Sequence, residues 1–312
     1  MLMKTILIGG PVVVAALAMS CGVLQLHAAD ADLYDQSGVK LEVQPTDPSL
    51  TKIVLVAGRQ SHGPGEHEFF AGSALLMKLL QQTPGIFPVM ARDGWPKDPK
   101  TLEGAKSVVF FMDGGGGHPI LQGNHKKIVQ KLMDDGVGFV NLHYAVEYPK
   151  EHGKEVLSWL GGYYETGYSV NPHWDAQIKF LPDHAITHGV KPFAIRDEWY
   201  YTIRFTPDHE SVTPILTATP PDNTRFTPEA KKHAGREETL AWAYLRPNGG
   251  RSFGFTGAHF HKNWGDENFR RLVVNAILWS AKVDVPSEGA KVDLDPADLE
   301  KNLDRKDGGK RK

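Results

Sequence analysis

The first half of the chain contains short apolar runs separated by longer, mixed segments. The runs at residues 52–58, 107–117 and 136–145 predict strands that are buried on both faces of a sheet. A shorter run at residues 87–91 predicts one more strand. These four runs predict the centre of a sheet.

Helical spacing of apolar residues marks two of the segments between these strands. Residues 66–81 place Phe69 and Leu76 on one face, and residues 121–135 end at Gly136, a residue typical of helix C-termini. Strands that alternate with helices predict a parallel sheet with helices on both of its faces.

The second half of the chain is richer in predicted strands and closes with an amphipathic helix at residues 266–281. The predicted strands lie at residues 176–181, 200–205, 213–218, 240–244 and 251–256. Prolines and charges at residues 219–238 predict a long surface excursion. No internal repeat is visible, so we predict one domain at residues 51–284, an N-terminal extension at 30–50 and a disordered charged tail at 285–312.

The composition is that of an ordinary globular protein, with 41% hydrophobic and 23% charged residues in a chain of 312. A formal net charge of -2 gives no basic surface of the kind that binds nucleic acid or an anionic membrane. The sequence therefore predicts a small-molecule partner that is recognised locally, with no nucleic acid and no membrane span.

The N-terminus predicts export. Residues 1–29 contain a lysine, a hydrophobic stretch and then small residues, which is typical of a secretory signal peptide cleaved after Ala29 or Ala31. We expect a periplasmic or secreted protein; a lipoprotein anchored at Cys21 is the alternative, although the residues before Cys21 fit a lipobox poorly. Cys21 is the only cysteine, so cleavage at either alanine excludes disulfides, thiolate catalysis and Cys-ligated zinc.

Histidines and glutamates collect directly after the predicted strands. Ligands bind at the carboxyl ends of parallel strands because helix N-termini and loop amides converge there. The residues that follow four separate strand ends are His62, Glu66, His67, His118, His143, Glu147, His259 and His261. We expect this group to meet in one cleft, with His67 as a solvated or structural histidine rather than a functional one.

The spacing of His259 and His261 raises the question of a metal. Side chains two residues apart in a strand lie on one face, so the pair could hold a metal with a third ligand from His62, His143 or a carboxylate. Acid-base chemistry by a neutral histidine and a carboxylate requires fewer groups. We therefore assign no metal ligand and treat a divalent metal as an optional cofactor.

Two further features suit a sugar ligand. Residues 114–117 are four glycines without the lysine and Ser/Thr of a nucleotide-binding loop, so their amides are available to substrate hydroxyls. The segment "RDEWYYTIRF" places Glu198 near Tyr201, and "GAHFHKNW" ends at Trp264. Aromatic faces suit the apolar C–H faces of sugar rings; the alternative is an ordinary strand whose aromatics pack in the core.

The blocks "SHGPGEHEF", "MDGGGGHP", "LHYAVE", "NPHW", "HAITHGVKPF", "DEWYYTIRF" and "GFTGAHFHKNW" occur in this order. Together they resemble the ThuA-like (trehalose utilisation) family over residues 52–282. The resemblance implies an α/β fold, a flavodoxin-like three-layer αβα sandwich with a mostly parallel sheet, similar to class I glutamine amidotransferases. His143 stands where an amidotransferase has its thiol, so amidotransferase chemistry is excluded.

The resemblance also implies carbohydrate catabolism, with keto-sugar derivatives of disaccharides or glycosides as substrates for isomerisation or cleavage. We assign His143 and Glu198 as the acid-base pair, and His259 and His261 as groups that polarise the carbonyl directly or through a divalent metal. The remaining residues expected to bind substrate are His62, Glu66, His118, Glu147, Tyr201 and Trp264. A non-catalytic carbohydrate-binding protein and a metal-dependent glycoside hydrolase are the alternatives.

Overall fold

The computed structural model describes residues 32–207 and 211–306. The described residues from Leu33 onward belong to one compact unit. The predicted signal peptide at residues 1–29 lies outside the described residues. Within them, no helix is both long and apolar enough to cross a bilayer.

A seven-stranded sheet forms the centre of this unit. The strands of the chain are β1 (Thr51–Ala57), β2 (Ile86–Ala91), β3 (Ser107–Phe111), β4 (Gly138–Leu142), β5 (Gly162–Tyr163), β6 (His173–Ile178), β7 (Phe193–Glu198), β8 (Arg204–Phe205), β9 (Val212–Ala218), β10 (Glu238–Leu245) and β11 (Arg251–Phe255). The strand order in the central sheet is β2-β1-β3-β4-β11-β10-β9. Two small antiparallel pairs, β5 with β8 and β6 with β7, lie outside it.

Pairing in the central sheet is mostly parallel, as the sequence predicts. Strands β2, β1, β3, β4 and β11 run in one direction, whereas β10 pairs antiparallel with both β11 and β9. The chain moves outward from β1 to β2 and then returns past β1 to β3. This reversal of strand order leaves a crevice at the carboxyl ends of β1 and β3, where open α/β sheets bind ligands.

Helices cover both faces of the sheet. They are α1 (Phe69–Leu80), α2 (His125–Asp134), α3 (Gly153–Leu160), α4 (Pro228–Lys231) and α5 (Glu267–Ser280). In β1, Ile53 and Leu55 join one core with α1 and α5, while Val54 and Val56 join a second core with α2 and α3. This alternation along a buried strand produces the three layers that the sequence predicts.

The structure differs from the sequence prediction between Glu198 and Phe205. We predicted a strand at residues 200–205, but β7 ends at Glu198, Tyr201 forms only an isolated bridge with Val170, and the two residues of β8 are the part of this stretch that forms a strand. Trp199 and Tyr200 are buried by side-chain packing rather than by a strand ladder. Aromatic runs of this kind satisfy strand and core-loop patterns equally well, so their apolar character did not distinguish the two.

The C-terminal segment also differs from its prediction as a disordered tail. Residues 285–306 pack on the domain, with Ala290 and Val292 buried and a 3-10 helix at Pro296–Glu300. Lys306 pairs with Glu68, and both side chains are buried. Charges near a terminus predict disorder only when they lack partners, and here the partners are distant in sequence.

Candidate functional site

Strained backbone marks the loops at the carboxyl edge of the sheet. After β1, His62 has φ of 58° and His67 has φ of 46°. His143 directly follows β4 with φ of 55°, and Ala258, just before His259, has φ of 85°. Positive φ is costly for residues with a Cβ and is typical of functional sites. Three separate loops are therefore held in unusual conformations at one edge of the sheet.

These loops and the end of β7 bring together His67, His143, His259 and Glu198. The Nε2 atom of His67 lies 3.0 Å from His143 Nε2 and 3.0 Å from His259 Nδ1. His259 Nδ1 lies 3.3 Å from His143 Nε2 and 3.0 Å from Glu198 Oε2, which is 3.4 Å from His143 Nε2. All four side-chain atoms lie within 4.8 Å of one another. We call these four residues the His3Glu centre.

The outer nitrogens of two of these histidines define their tautomers. His143 Nδ1 is 2.9 Å from the carbonyl oxygen of Thr256, which can only accept, so Nδ1 carries the proton. His67 Nδ1 is 3.0 Å from the Asp113 carboxylate and donates to it in the same way. In the neutral rings both Nε2 atoms therefore carry lone pairs, and these face each other across 3.0 Å.

Burial and charge act on the protonation of the centre. Burial lowers the pKa of His67, and the neighbouring histidines lower it further. Burial also disfavours the ionised form of Glu198, but its interactions with the rings of His143 and His259 outweigh burial and lower the pKa of this carboxyl. Burial opposes protonation of His259, yet the bond to Glu198 raises the pKa of His259. These directions describe neutral His67 beside an ion pair of Glu198 with His259.

The donor set fits a divalent metal. Zinc bonds of about 2.0–2.1 Å to nitrogen or oxygen require ligand atoms about 3.4 Å apart in a tetrahedron. Five of the six separations within the His3Glu centre are 3.0 to 3.4 Å, and all six, including that between His67 and Glu198, are within 4.8 Å. A cation would remove the repulsion between the facing Nε2 lone pairs and take the place of the proton between His259 and Glu198. The hydrogen bonds from His67 Nδ1 to Asp113 and from His143 Nδ1 to the carbonyl of Thr256 are of the kind that orients metal-bound histidines.

A buried carboxylate outside the centre supports it. Asp197 is fully buried and accepts hydrogen bonds from the backbone amides of Ala258 and His259, at 2.8 and 3.0 Å. It also accepts from the side chain of Asn263 and from the amide of Glu198. Asp197 thus fixes the strained loop that carries His259 relative to the end of β7.

Several polar side chains flank the centre. The ring of His62 lies against that of His67, with centroids 3.6 Å apart and planes inclined by 30°, and Glu66 Oε1 lies 3.7 Å from His259 Nε2. His173 Nε2 lies 3.9 Å from the second oxygen of Glu198. His62 and His173 are exposed and Glu66 is partly exposed, so a ligand can reach them.

The structure does not bring every predicted site residue to this place. His261 lies in a 3-10 helix, not a strand, and its Nε2 bonds the carbonyl of Leu299, so it does not share a face with His259. The side chain of Trp264 is buried against Phe111 and Phe269 in the core. Of His259 and His261, only His259 therefore belongs to the His3Glu centre.

Three more predicted residues lie off the centre. Tyr201 is buried, and its hydroxyl bonds Thr224. His118 is buried and stacked on Tyr148, with Nε2 bonded to the carbonyl of Ala145. Burial lowers the pKa of His118 to about 4. Glu147 accepts a hydrogen bond from Thr166, and burial raises the pKa of its carboxyl.

His67 is the member of the centre that sequence reasoning missed. It was expected to be a solvated or structural histidine, yet it is fully buried at the hub of the cluster. The available signal was its place five residues after His62, just before the apolar face of α1 begins. A histidine between a buried strand and a buried helix has little room to be solvated.

Comparisons with known proteins place this geometry in context. A family model described as trehalose utilisation (ThuA) matches residues 53–280. A ThuA-like protein from Bacteroides uniformis ATCC 8492 is similar in structure, with a TM-score of 0.55 and 17% identity over 78% of this chain and 95% of that one. A ThuA-like protein from Parabacteroides merdae ATCC 43184 has a TM-score of 0.54 and 15% identity over 81% and 99%.

A glutamine amidotransferase from Thermotoga maritima is also matched, with a TM-score of 0.39 and 11% identity over 74% of this chain and 96% of that one. No curated protein matches the chain significantly.

Proposed function

The chain belongs to the ThuA family, and we propose that it is an enzyme of carbohydrate metabolism that acts on a keto-sugar ring at a divalent metal. The family description, trehalose utilisation, suggests a carbohydrate-related role. The observation that carries the proposal is the convergence of His67, His143, His259 and Glu198 within 4.8 Å. These four residues would hold the metal.

When bound, a divalent ion would supply a Lewis acid that polarises a carbonyl oxygen of the substrate. A carbonyl acidifies the neighbouring C–H group of a sugar ring, so that a base can remove this proton and leave an enediolate. Return of the proton to the other carbon isomerises the sugar. Alternatively, the glycosidic C–O bond next to the deprotonated carbon breaks, so that the departing oxygen takes up the proton and leaves as an alcohol while the ring becomes an unsaturated ketone.

The side chains beside the centre supply the proton transfer. His62 and Glu66 are accessible and place a basic atom next to the cluster, whereas His67 and His143 are fully buried. His62 Nδ1 is held 2.7 Å from the hydroxyl of Ser61, which leaves Nε2 as the atom that would take the proton. His173, beside Glu198, would bind a substrate hydroxyl.

Turnover and isotope exchange test this proposal together. The tag-free protein is incubated in D₂O with disaccharides and methyl glycosides that carry one ketone, and with their unoxidised parents, with and without added Zn²⁺ or Mn²⁺. We expect deuterium beside the carbonyl of a keto sugar, loss of the exchange after chelation, and its recovery with metal.

Variants assign that activity to the centre. His143→Ala and Glu198→Gln should lower kcat at least about 100-fold, since both metal retention and geometry are lost. His152→Ala, on a surface turn outside the cluster, is the matched control. Hydrolysis of unoxidised glycosides without deuterium uptake would contradict the keto-sugar mechanism and favour a metal-dependent glycosidase.

We further propose that the protein is exported. The support is the N-terminal sequence alone, a lysine followed by a hydrophobic stretch and small residues before Ala29 and Ala31. Fractionation of cells that express the full chain, followed by mass spectrometry of the mature N-terminus, tests this. A cytoplasmic protein that retains Met1 would contradict it.

A further inference from the structure

A cleft of about 890 Å³ lies at the carboxyl ends of β1, β2 and β3. Its walls include residues directly after β1 and β3 and the turn that follows β2, which is the place where the strand order reverses. Ligand pockets for molecules of drug size have volumes of about 300–1,000 Å³. The cleft therefore has room for a whole sugar ring in addition to one that reacts at the centre.

The cleft begins one side chain away from the His3Glu centre. His62, Asp113 and Tyr144 line it. His62 stacks on His67, Asp113 accepts the hydrogen bond of His67 Nδ1, and the ring of Tyr144 lies 5.9 Å from that of His67. A ligand that reached from the centre into the cleft would pass these three residues.

One wall of the cleft is a rigid aromatic pair. The rings of Trp95 and His125 are parallel within 5°, with centroids 3.8 Å apart. His125 is held in place because its Nδ1 lies 2.8 Å from the carbonyl oxygen of Pro119. Trp95 is half-buried, so part of the indole stays open to the cleft. Such a wall suits the apolar C–H groups of a sugar ring.

Polar groups line the other sides. Asp93 and Asp113 offer carboxylates, each about two-fifths exposed, and Arg59 is an exposed donor. The loop of residues 114–117 also contributes, and a Cβ added at Gly117 would meet nothing within 4 Å, so this backbone is open to a ligand. Carboxylates and a guanidinium placed around an apolar wall match the hydroxyl groups at the edge of a sugar.

The charge balance selects between kinds of sugar. Two carboxylates and one guanidinium line the cleft, and Asp93 also pairs with the guanidinium of Arg92 at 3.6 Å, so no excess of positive charge favours a phosphorylated ring over a neutral one. We infer that this cleft is the binding site for a second, neutral pyranose ring that is covalently linked to the ring at the His3Glu centre. The inference rests on the proposed function and narrows its substrate to a molecule of at least two rings.

A substrate pair tests the assignment. The wild-type protein is compared on trehalose oxidised to a ketone on one ring and on the methyl glycoside of the same keto ring. We expect kcat/KM to be at least about 10-fold higher for the disaccharide, mainly through KM. In Trp95→Ala this ratio should fall toward one, whereas Phe180→Ala, which alters an exposed aromatic that does not line the cleft, should keep it. Equal kcat/KM for both substrates in the wild type would overturn the inference.

Two additions separate failure of this inference from failure of the proposed function. If no keto sugar is turned over, calorimetry with unoxidised trehalose still reports on the cleft. Millimolar or tighter binding that Trp95→Ala weakens supports the inference, and absence of binding overturns it.

The charge argument is tested with Asp93→Asn, because Asn tolerates the φ of 64° at this position. This variant should gain affinity for trehalose 6-phosphate relative to trehalose, and an unchanged ratio would contradict the exclusion of phosphorylated sugars.

Discussion

Asp197 is fully buried next to the proposed ligand Glu198 and holds the backbone of Ala258 and His259. In Asp197→Asn the new amide group can accept with only one oxygen, so at least one backbone N–H loses its partner. We expect the affinity for Zn²⁺ to fall about 10- to 100-fold, the range seen when outer partners of metal ligands are removed. Competition with a chromogenic chelator measures this affinity.

Two controls separate positioning from general destabilisation. Asp175→Asn alters an exposed carboxylate on β6 and should change neither affinity nor stability. Val129→Ala removes a buried methyl pair in the core with α2 and should lower the free energy of unfolding without weakening metal binding. If Asp197→Asn lowers stability as Val129→Ala does and leaves the affinity unchanged, its role is structural only.

His118 gives a second prediction at the residue scale, concerning stability and pH. Its folded pKa of about 4 lies below the ordinary value of 6.5 because the ring is buried. The unfolded chain therefore binds a proton that the folded protein excludes, and stability is lost as the pH falls from 6.5 toward 4. Between pH 7.5 and 4.5 this one group should lower the free energy of unfolding by about 2.5 kcal/mol.

Urea unfolding of the wild type and of His118→Gln at both pH values measures that loss. Other titrating groups are common to the two proteins and cancel in the difference. The variant should be less stable than the wild type at pH 7.5, but its stability should fall less on acidification. Equal losses in both proteins would show that His118 does not titrate as described.

At the scale of elements, the C-terminal segment holds the loop that carries His62 and His67. The ammonium group of Lys306 pairs with Glu68 at 3.2 Å and donates to the carbonyl of Glu66. The amide of Asp304 donates to Glu68 as well. Breaking a buried pair by removing one partner costs about 3–5 kcal/mol, because the other charge remains buried.

Lys306→Met should therefore release both the C-terminal segment and the loop after β1. We expect faster amide hydrogen exchange at residues 59–68 and 299–306 and little change in the central strands, as measured by mass spectrometry. Lys301→Met is the control, because Lys301 is about half exposed and pairs with Asp298 rather than with the loop after β1. Exchange that is unchanged in Lys306→Met would show that the pair does not hold this loop.

The buried strands were the elements most readable from sequence. Predicted and observed bounds of β1 and β2 agree within one residue, since apolar runs in a parallel sheet are continuous and end where the chain leaves the core. The helix α3 was not predicted, although Gly161 with φ of 76° gives it a typical C-terminus. Its eight residues are too few for a helical period to stand out.

The site was only partly readable for a related reason. Strand ends predicted that His62, His143 and His259 would converge, because parallel strands deliver their carboxyl ends to one edge. The expectation that His259 and His261 share one face was wrong, because the chain leaves the strand at Phe255 and the alternation of side chains along a strand does not extend to His261. The roles of Asp197 and Lys306 could not be predicted from the sequence, since a buried charged side chain is recognised only through partners that are far away in sequence.

At the scale of the whole molecule, the family-model match confirms the resemblance to the ThuA family, and the fold confirms the three-layer α/β class predicted from sequence. A rigid parallel sheet presents its loops at one edge, while the C-terminal segment and the β6–β7 pair add side chains to the same edge. We propose that this assembly forms one metal-binding centre from His67, His143, His259 and Glu198.

A calorimetric titration of chelator-treated, tag-free protein with Zn²⁺ tests whether these four residues form one metal-binding centre. We expect saturable binding of one ion per chain in the wild type and in His152→Ala, and loss of that binding in His67→Ala and His143→Ala. Absence of saturable binding in the wild type, or equal binding in all four proteins, would contradict it.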